Sequence, residues 1–159
     1  MVAERPYLSV VIPVYNESLR LPATLTRVLG HLKDVPYAWE VVVADDGSTD
    51  DSVAIVRTFA EADDRIRLVA CPHRGKGAAV RAGMLAATGQ WRLFTDADLS
   101  IEVSELQRFF EPPADVAIGS RQVPGARRIG EPPVRHVMGR IFNLCARVLL
   151  VPGISDTQC

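Results

Sequence analysis

Short apolar runs alternate with longer amphipathic stretches along the first hundred residues of the chain. The run Leu8–Val14 is rich in β-branched residues, which is typical of a strand buried on both faces. From Ser18 onward, leucines and valines recur at helical spacing, so we predict a helix there, with Asn16 or Ser18 as its cap. The same order of strand and helix then repeats, which predicts an α/β fold with a mostly parallel sheet flanked by helices.

Four further strands and two further helices complete this prediction. The strands are expected over Glu40–Ala44, Ile66–Ala70, Trp91–Thr95 and Asp115–Gly119. The helices are expected to begin at Ser48–Asp51 and at Gly75, with inward positions at Val53, Val56, Phe59, Val80 and Met84. A polar segment follows each of the first, second and fourth strands, and another precedes the third helix. In a parallel sheet such segments gather at one edge, where ligands bind.

Composition and charge narrow the function classes. The chain has 159 residues, of which 48% are hydrophobic and 23% charged, which is the balance of one globular domain. With a formal net charge of −1, the chain has no overall positive potential that would attract nucleic acid. No apolar signal region precedes the first strand, so secretion is not expected. The three cysteines are odd in number and widely spaced, which favours reduced thiols in the cytoplasm over disulfides or a zinc site.

The character of the sequence changes after Gly119. A stretch interrupted by prolines and glycines carries several arginines, namely Arg121, Arg127, Arg128, Arg135 and Arg140. An apolar segment over 137–151 follows, and it is too short and too charged to span a bilayer. It fits a helix at a membrane interface, and it fits equally a core or subunit-contact helix with extended arginines. The oligomeric state stays open.

Two carboxylates one residue apart, Asp96 and Asp98, end the fourth apolar run. Hard oxygen ligands suit Mg²⁺ or Mn²⁺, and Mg²⁺ is usually held by one or two carboxylates together with substrate phosphates. Taken alone, the pair also fits a solvated turn or a helix cap. Three other polar clusters belong to the same predicted edge: Pro13–Glu17, Asp45–Asp50 and Gly75–Gly77. Each has a structural explanation of its own, but together they predict a ligand site.

These clusters resemble those of the family 2 glycosyltransferases with a GT-A fold. The matching segments are Asp45–Ser48, Arg74–Gly77, Asp96–Leu99, Ile118–Arg121 and Asp156–Cys159. The last segment most resembles the branch that makes dolichyl- or polyprenyl-phosphate glucose, whereas the related mannosyl branch usually has a Thr-Ser-Gly-like ending there. The resemblance implies a single GT-A domain over 1–159, with a nucleotide-sugar half at 8–100 and an acceptor half at 115–159. Relatives continue past this motif, so the domain is expected to be truncated at its C-terminus.

The resemblance also implies roles for individual residues. Donor-site residues would be Pro13, Tyr15, Asn16, Glu17, Asp45, Asp46, Lys76 and Asp96. Pro13, Tyr15 and Glu17 would line the nucleoside pocket, while Asp46 would accept a hydrogen bond from the base. Asp96 and Asp98 would be the ligands of Mg²⁺ or Mn²⁺, with Asp98 taking part in catalysis. Arg121 and Arg135 would position the acceptor phosphate, because arginine matches phosphate oxygens, although solvated surface arginines are the alternative.

The expected activity is therefore transfer of glucose from UDP-glucose to a dolichyl or polyprenyl phosphate, with inversion at the anomeric carbon. The partners would be a nucleotide sugar, the lipid phosphate and the cytosolic face of a membrane, with which the protein would associate peripherally. Within the family, GDP-mannose or another acceptor remains open. Outside it, a nucleotide-binding, membrane-docking module without activity is the alternative. A nucleotidyltransferase would carry a Gly-rich, Arg-containing loop after the first strand, where this chain has Tyr15–Glu17.

Overall fold

The computed structural model describes residues 5–99, 103–110 and 114–119. Its strands are β1 (Leu8–Val14), β2 (Trp39–Asp45), β3 (Ile66–Ala70) and β4 (Trp91–Phe94), and its helices are α1 (Leu21–Leu32), α2 (Ser52–Ala62) and α3 (Lys76–Ala86), with a 3₁₀ helix at Val103–Phe110. The chain divides after Glu105 into two compact units, and all strands and α-helices described here belong to the first. No helix in the described residues is long and apolar enough to cross a membrane.

The four strands form a parallel sheet in the order β3-β2-β1-β4, so the predicted α/β class and parallel sheet are confirmed. In the register, Val10 of β1 faces Val41 of β2 on one side and Leu93 of β4 on the other. The chain adds β2 and β3 on one side of β1 and then returns to place β4 on the opposite side. In open α/β sheets, ligands bind outside the carboxyl ends of the strands at such a reversal.

The core lies along β1 and β2, the two central strands. Every residue of β2 is buried, and Val11 and Val42 have no exposed surface, as the β-branched pattern predicts for strands covered on both faces. Helix α1 buries Leu21, Leu25, Val28 and Leu32, which recur at the spacing of one helical face. These central strands therefore give the loops at their carboxyl ends a rigid base.

Helix α3 approaches the sheet closely because small residues face it. Ala79 and Gly83 are its buried residues, and a Cβ added to Gly83 would overlap Cγ1 of Val11 and lie 3.1 Å from the Cβ of Ala44. Met84, predicted to point inward, is partly buried and packs against the core. The close approach fixes the position of the N-terminal end of α3.

A buried carboxylate joins the amino-terminal ends of the strands. Glu40 Oε1 accepts hydrogen bonds from Ser9 Oγ (2.6 Å), Thr88 N (2.6 Å) and Thr88 Oγ1 (2.8 Å), while Oε2 accepts from the guanidinium of Arg67 at 3.0 and 2.7 Å. Burial by itself would raise the pKa of Glu40, but these hydrogen bonds outweigh it and lower the pKa to about 2. Glu40 therefore ties β1, β2, β3 and the segment before β4 together as an ion.

Two sequence predictions about local structure are wrong, and a third is confirmed. Helix α1 begins at Leu21, and its N-cap residue Arg20 makes no side-chain cap hydrogen bond, so neither Asn16 nor Ser18 caps it. Helix α2 begins at Ser52 with Asp51 as its N-cap residue, so the helix start predicted at Ser48–Asp51 is confirmed. Residues 115–119 form no strand, and Val116 and Ile118 are 75% and 50% exposed, so the apolar pattern there is not matched by burial. Arg121, Arg135 and the 137–151 segment lie outside the described residues.

Candidate functional site

A cavity of about 310 Å³ opens at the carboxyl-terminal edge of the sheet, beside β1. Seven of the residues predicted for the donor and metal site line it: Pro13, Tyr15, Glu17, Asp46, Lys76, Asp96 and Asp98. Arg20 and His73, which were not predicted as site residues, also line it. Asn16 and Asp45 are absent from the lining. The volume is at the lower end of the range of small-molecule sites.

The loop after β1 is fastened to the loop after β2 through Asn16. Its backbone N–H donates to Ser48 Oγ at 2.9 Å, and its side-chain oxygen accepts from the backbone N–H of Thr49 at 2.8 Å. Asn16 has a φ of +53°, a conformation that asparagine tolerates better than most residues. The residue predicted to bind the nucleotide thus holds the two loops together in this structure.

A second set of hydrogen bonds, centred on Asp50, connects the same two loops. Asp50 Oδ2 accepts from the backbone N–H of Ser18 at 2.9 Å, and Oδ1 accepts from the backbone N–H of Ser52 at 3.0 Å. The hydroxyl of Ser52 in turn accepts from the backbone N–H of Glu17 at 2.9 Å. Hydrogen bonds from Ser52 and Ser18 hold the pKa of Asp50 well below its ordinary value, so the clamp is built on an ionised carboxylate.

Asp45 shapes the turn that leads out of β2. Its Oδ2 accepts from the backbone N–H groups of Gly47 and Ser48, both at 3.0 Å, while its buried Oδ1 has no hydrogen-bond partner among the described residues. Gly47 has a φ of +74°, and an added Cβ would lie 2.9 Å from the backbone nitrogen of His73. The turn therefore requires glycine for its conformation and for its close approach to the neighbouring loop.

Asp46 organises the segment before α3 and is only 2% exposed. Oδ1 accepts from the backbone N–H of Arg74 at 2.9 Å, and Oδ2 accepts from that of Gly75 at 2.8 Å and lies 2.8 Å from His73 Nδ1. The backbone hydrogen bond from Arg74 is the largest influence that lowers the pKa of Asp46. A carboxylate oxygen can accept two hydrogen bonds, so Oδ1 keeps capacity for a donor on a ligand.

An aromatic pair forms one wall of the cavity. The rings of Tyr15 and His73 stack with centroids 4.2 Å apart and planes inclined by 18°. Tyr15 keeps nearly half of its surface exposed. A stacked pair held by Asp46 offers a flat face to another planar ring. His73 directly precedes the Arg74–Gly77 motif, and this adjacency is the signal by which it could have been found.

Charged groups dominate the rest of the cavity. Lys76 Nζ lies 2.7 and 2.8 Å from the carboxylate oxygens of Asp96, and Arg20 lies 3.1 Å from Oε2 of Glu17. The lining carries four carboxylates, Glu17, Asp46, Asp96 and Asp98, against two cationic side chains, Arg20 and Lys76. The formal charge of the cavity is therefore −2 with His73 neutral.

Asp96 and Asp98 are the candidate ligands for a divalent cation. The described residues contain no group of three or more His, Cys, Asp or Glu side chains arranged to hold a metal. Asp96 and Asp98, however, both line the cavity, and both supply hard oxygens. Because Mg²⁺ commonly takes one or two protein carboxylates and fills its other positions with water and phosphate oxygens, this donor set fits a cation that shares its ligands with a bound diphosphate.

Comparisons with known proteins agree with the sequence resemblance. The family model described as glycosyl transferase family 2 matches residues 9–151. A dolichyl-phosphate beta-glucosyltransferase of Trichomonas vaginalis is 33% identical over 168 residues, covering 96% of this chain and 50% of the relative. Another from Mus musculus is 34% identical over 171 residues, covering 96% of this chain and 52% of the relative. The chain thus spans about half the length of these curated relatives.

Among solved structures, a mannosyltransferase from Pyrobaculum calidifontis in complex with GDP-Man and Mn²⁺ is 32% identical, with a TM-score of 0.48. The match covers 60% of this chain and 28% of that one.

Proposed function

Because the chain belongs to glycosyl transferase family 2, we propose that it binds UDP-glucose together with Mg²⁺ or Mn²⁺ and transfers glucose to a dolichyl or polyprenyl phosphate. The observation that carries the proposal is the acidic cavity at the carboxyl edge of the sheet, with Asp96 and Asp98 in its lining. The names of the relatives at 33% and 34% identity support glucose and a dolichyl phosphate as the substrates.

The charge of the cavity explains why a cation would enter with the donor. A nucleoside diphosphate sugar is an anion, and a lining with a formal charge of −2 would repel it. A divalent cation held by Asp96 and Asp98 would remove this repulsion and, when bound, would stabilise the negative charge that builds on the departing diphosphate. The stacked faces of Tyr15 and His73 would carry the uracil ring.

The acceptor half of the reaction places fewer demands on the chain. A phosphate monoester is mostly dianionic at neutral pH and is already a nucleophile, so no general base is needed. Its oxygen would attack the anomeric carbon opposite the leaving UDP, which inverts the configuration. Arg121 and Arg135 would position the lipid phosphate. The chain's main contribution would be to align donor and acceptor and to stabilise charge.

A transfer assay with labelled donors tests this proposal. The purified protein is incubated with dolichyl phosphate, Mn²⁺ and labelled UDP-glucose, and the label is followed into organic solvent. Replacing Asp98 by asparagine keeps the size of the side chain but removes its charge, and we expect a loss of about 100-fold in turnover. Asp34→Asn, an exposed change in the loop after α1, is the matched control and should retain wild-type activity.

The outcomes separate the alternatives. If label enters the organic phase from GDP-mannose but not from UDP-glucose, the transferred sugar is mannose and not glucose. Binding of UDP without any lipid-linked product would favour a nucleotide-binding module. Undiminished turnover by Asp98→Asn in the presence of metal would refute the assignment of Asp98.

A further inference from the structure

The ion pair between Lys76 and Asp96 occupies the carboxylate that a metal would need. Lys76 Nζ lies within 2.8 Å of both carboxylate oxygens of Asp96, and both residues line the cavity. An ammonium group and a divalent cation compete for the same oxygens at these distances, because like charges repel strongly at contact. A cation that binds both oxygens of Asp96 therefore displaces Lys76.

The pair is arranged so that this displacement costs little. The side chains of Lys76 and Asp96 are 60% and 43% exposed, and exposed ion pairs contribute little net free energy. Lysine also carries its charge on a flexible four-carbon stem, so its ammonium can move while the backbone stays in place. The backbone is anchored, since Lys76 is the first residue of α3 and follows Gly75, whose N–H is bonded to Asp46.

A bound diphosphate would provide a new partner for the displaced ammonium. The other cation of the lining, Arg20, is already paired with Glu17 three residues before it. Once a metal has taken Asp96, Lys76 becomes a cationic donor facing a space that would hold the diphosphate. Lysine pairs with phosphate as a point charge, so no special geometry is required.

We propose that Lys76 exchanges partners during donor binding: it neutralises Asp96 while the cavity is empty and transfers its ammonium to the diphosphate when the metal–nucleotide complex takes Asp96. Lys76 is then a positioning residue that couples the two ligands. Metal alone binds somewhat less tightly because it must displace Lys76, whereas metal with nucleotide binds more tightly because the displaced ammonium gains a phosphate. This inference rests on the proposed function, since it assumes that a nucleoside diphosphate enters this cavity with a metal.

The test measures the affinity for Mn²⁺ with and without UDP, from the paramagnetic resonance signal of free Mn²⁺. In Lys76→Met, Mn²⁺ alone should bind about fivefold more tightly, because the competing charge is gone. In the same variant, UDP in the presence of saturating Mn²⁺ should bind about tenfold more weakly, because a phosphate contact is lost. The cooperativity between Mn²⁺ and UDP should fall accordingly.

Two variants serve as controls. Lys76→Arg keeps a positive charge, so its affinity for Mn²⁺ alone should stay near that of the wild type. Lys33→Met removes the other lysine of the chain, which is exposed beyond the end of α1, and should change neither affinity. Thermal unfolding of each variant checks that the fold is retained.

The outcomes distinguish this inference from the proposed function. If the wild type binds no UDP with Mn²⁺, the proposed function fails. If the wild type binds both ligands, but Lys76→Met shows unchanged or weaker affinity for Mn²⁺ alone, the exchange of partners is refuted. Opposite changes in the two affinities of Lys76→Met support it, since a general structural defect would weaken both.

Discussion

Replacing Glu40 by glutamine keeps the shape of a buried side chain and removes its charge. Glu40 accepts five hydrogen bonds, from Ser9, Thr88 and Arg67. A glutamine has one acceptor oxygen and one NH₂ group. In either orientation of the amide, the NH₂ group faces hydrogen-bond donors, either those of Ser9 and Thr88 or those of Arg67. The change therefore leaves two or three donors without their acceptor at the amino-terminal end of the sheet.

The size of the effect follows from these contacts. Hydrogen bonds to a charged group contribute about 1.5 to 3 kcal/mol each, and a buried donor without a partner carries a desolvation penalty. Arg67 is 40% exposed at its side chain, so water replaces part of what its guanidinium loses. We expect Glu40→Gln to lower the free energy of unfolding by about 2 to 4 kcal/mol. For a chain of this length, that corresponds to a Tm about 4 to 16 °C lower.

The pH dependence provides a sharper assay. In the folded protein the pKa of Glu40 is lowered from 4.5 to about 2, so the unfolded chain takes up the proton first as the pH falls. The stabilisation by Glu40 is therefore fully present above about pH 4.5 and is lost progressively towards pH 2. Urea unfolding between pH 7 and pH 3 should show the difference between wild type and Glu40→Gln narrowing below pH 4.5.

A surface carboxylate provides the matched control. Asp63 is partly exposed and pairs at 2.8 Å with the exposed Arg65. Exposed ion pairs contribute at most about 1 kcal/mol, so Asp63→Asn should have a small effect. If Glu40→Gln is no more destabilising than Asp63→Asn at pH 7, or if its effect is the same at pH 7 and pH 3, the assigned role of Glu40 is incorrect.

Three glycine substitutions, one of them a control, test the packing that positions the site. Gly83→Ala should destabilise the protein by about 1 to 3 kcal/mol in urea unfolding, because the new Cβ overlaps Val11. Gly30→Ala is the control: it lies at an exposed helical position with open space and should stabilise the protein by about 0.5 to 1 kcal/mol. Equal effects of the two substitutions would refute the packing argument. Gly47→Ala should lower the midpoint of urea unfolding and weaken UDP binding at least severalfold in calorimetry. The reason is that residue 47 has a positive φ and an added Cβ would push against His73. Unchanged UDP affinity would contradict the link between this turn and the cavity wall.

The strands could be predicted from sequence because their signal is local. The runs at Leu8–Val14 and Ile66–Ala70 were predicted with their observed bounds. The signal is strongest for Leu8–Val14, since a strand buried on both faces has little choice of residue. The positions of Asp96 and Asp98 at one edge followed from the parallel topology alone. The family resemblance then made the acidic edge a donor site.

What the sequence could not provide depends on contacts between distant residues. Asparagine is a common helix-cap residue, but Asn16 hydrogen-bonds to Ser48 and Thr49, which lie more than 30 residues away in the sequence. These contacts take the place of the predicted cap hydrogen bond. The Asp115–Gly119 run carries a strand pattern, yet the structure gives it no strand. Neither the stack of His73 on Tyr15 nor the partner of Lys76 is visible in any local pattern.

The hydrogen bonds that interlock the loops after β1 and β2 have a consequence for protein engineering. Asn16 and Ser18 on one loop depend on Ser48 and Asp50 on the other, so neither loop keeps its shape when it is exchanged alone. A graft intended to change donor specificity must therefore carry both segments from the same parent. When relatives are recombined, residues 16–50 should therefore come from one parent, although more than 30 residues separate the two sides of each contact.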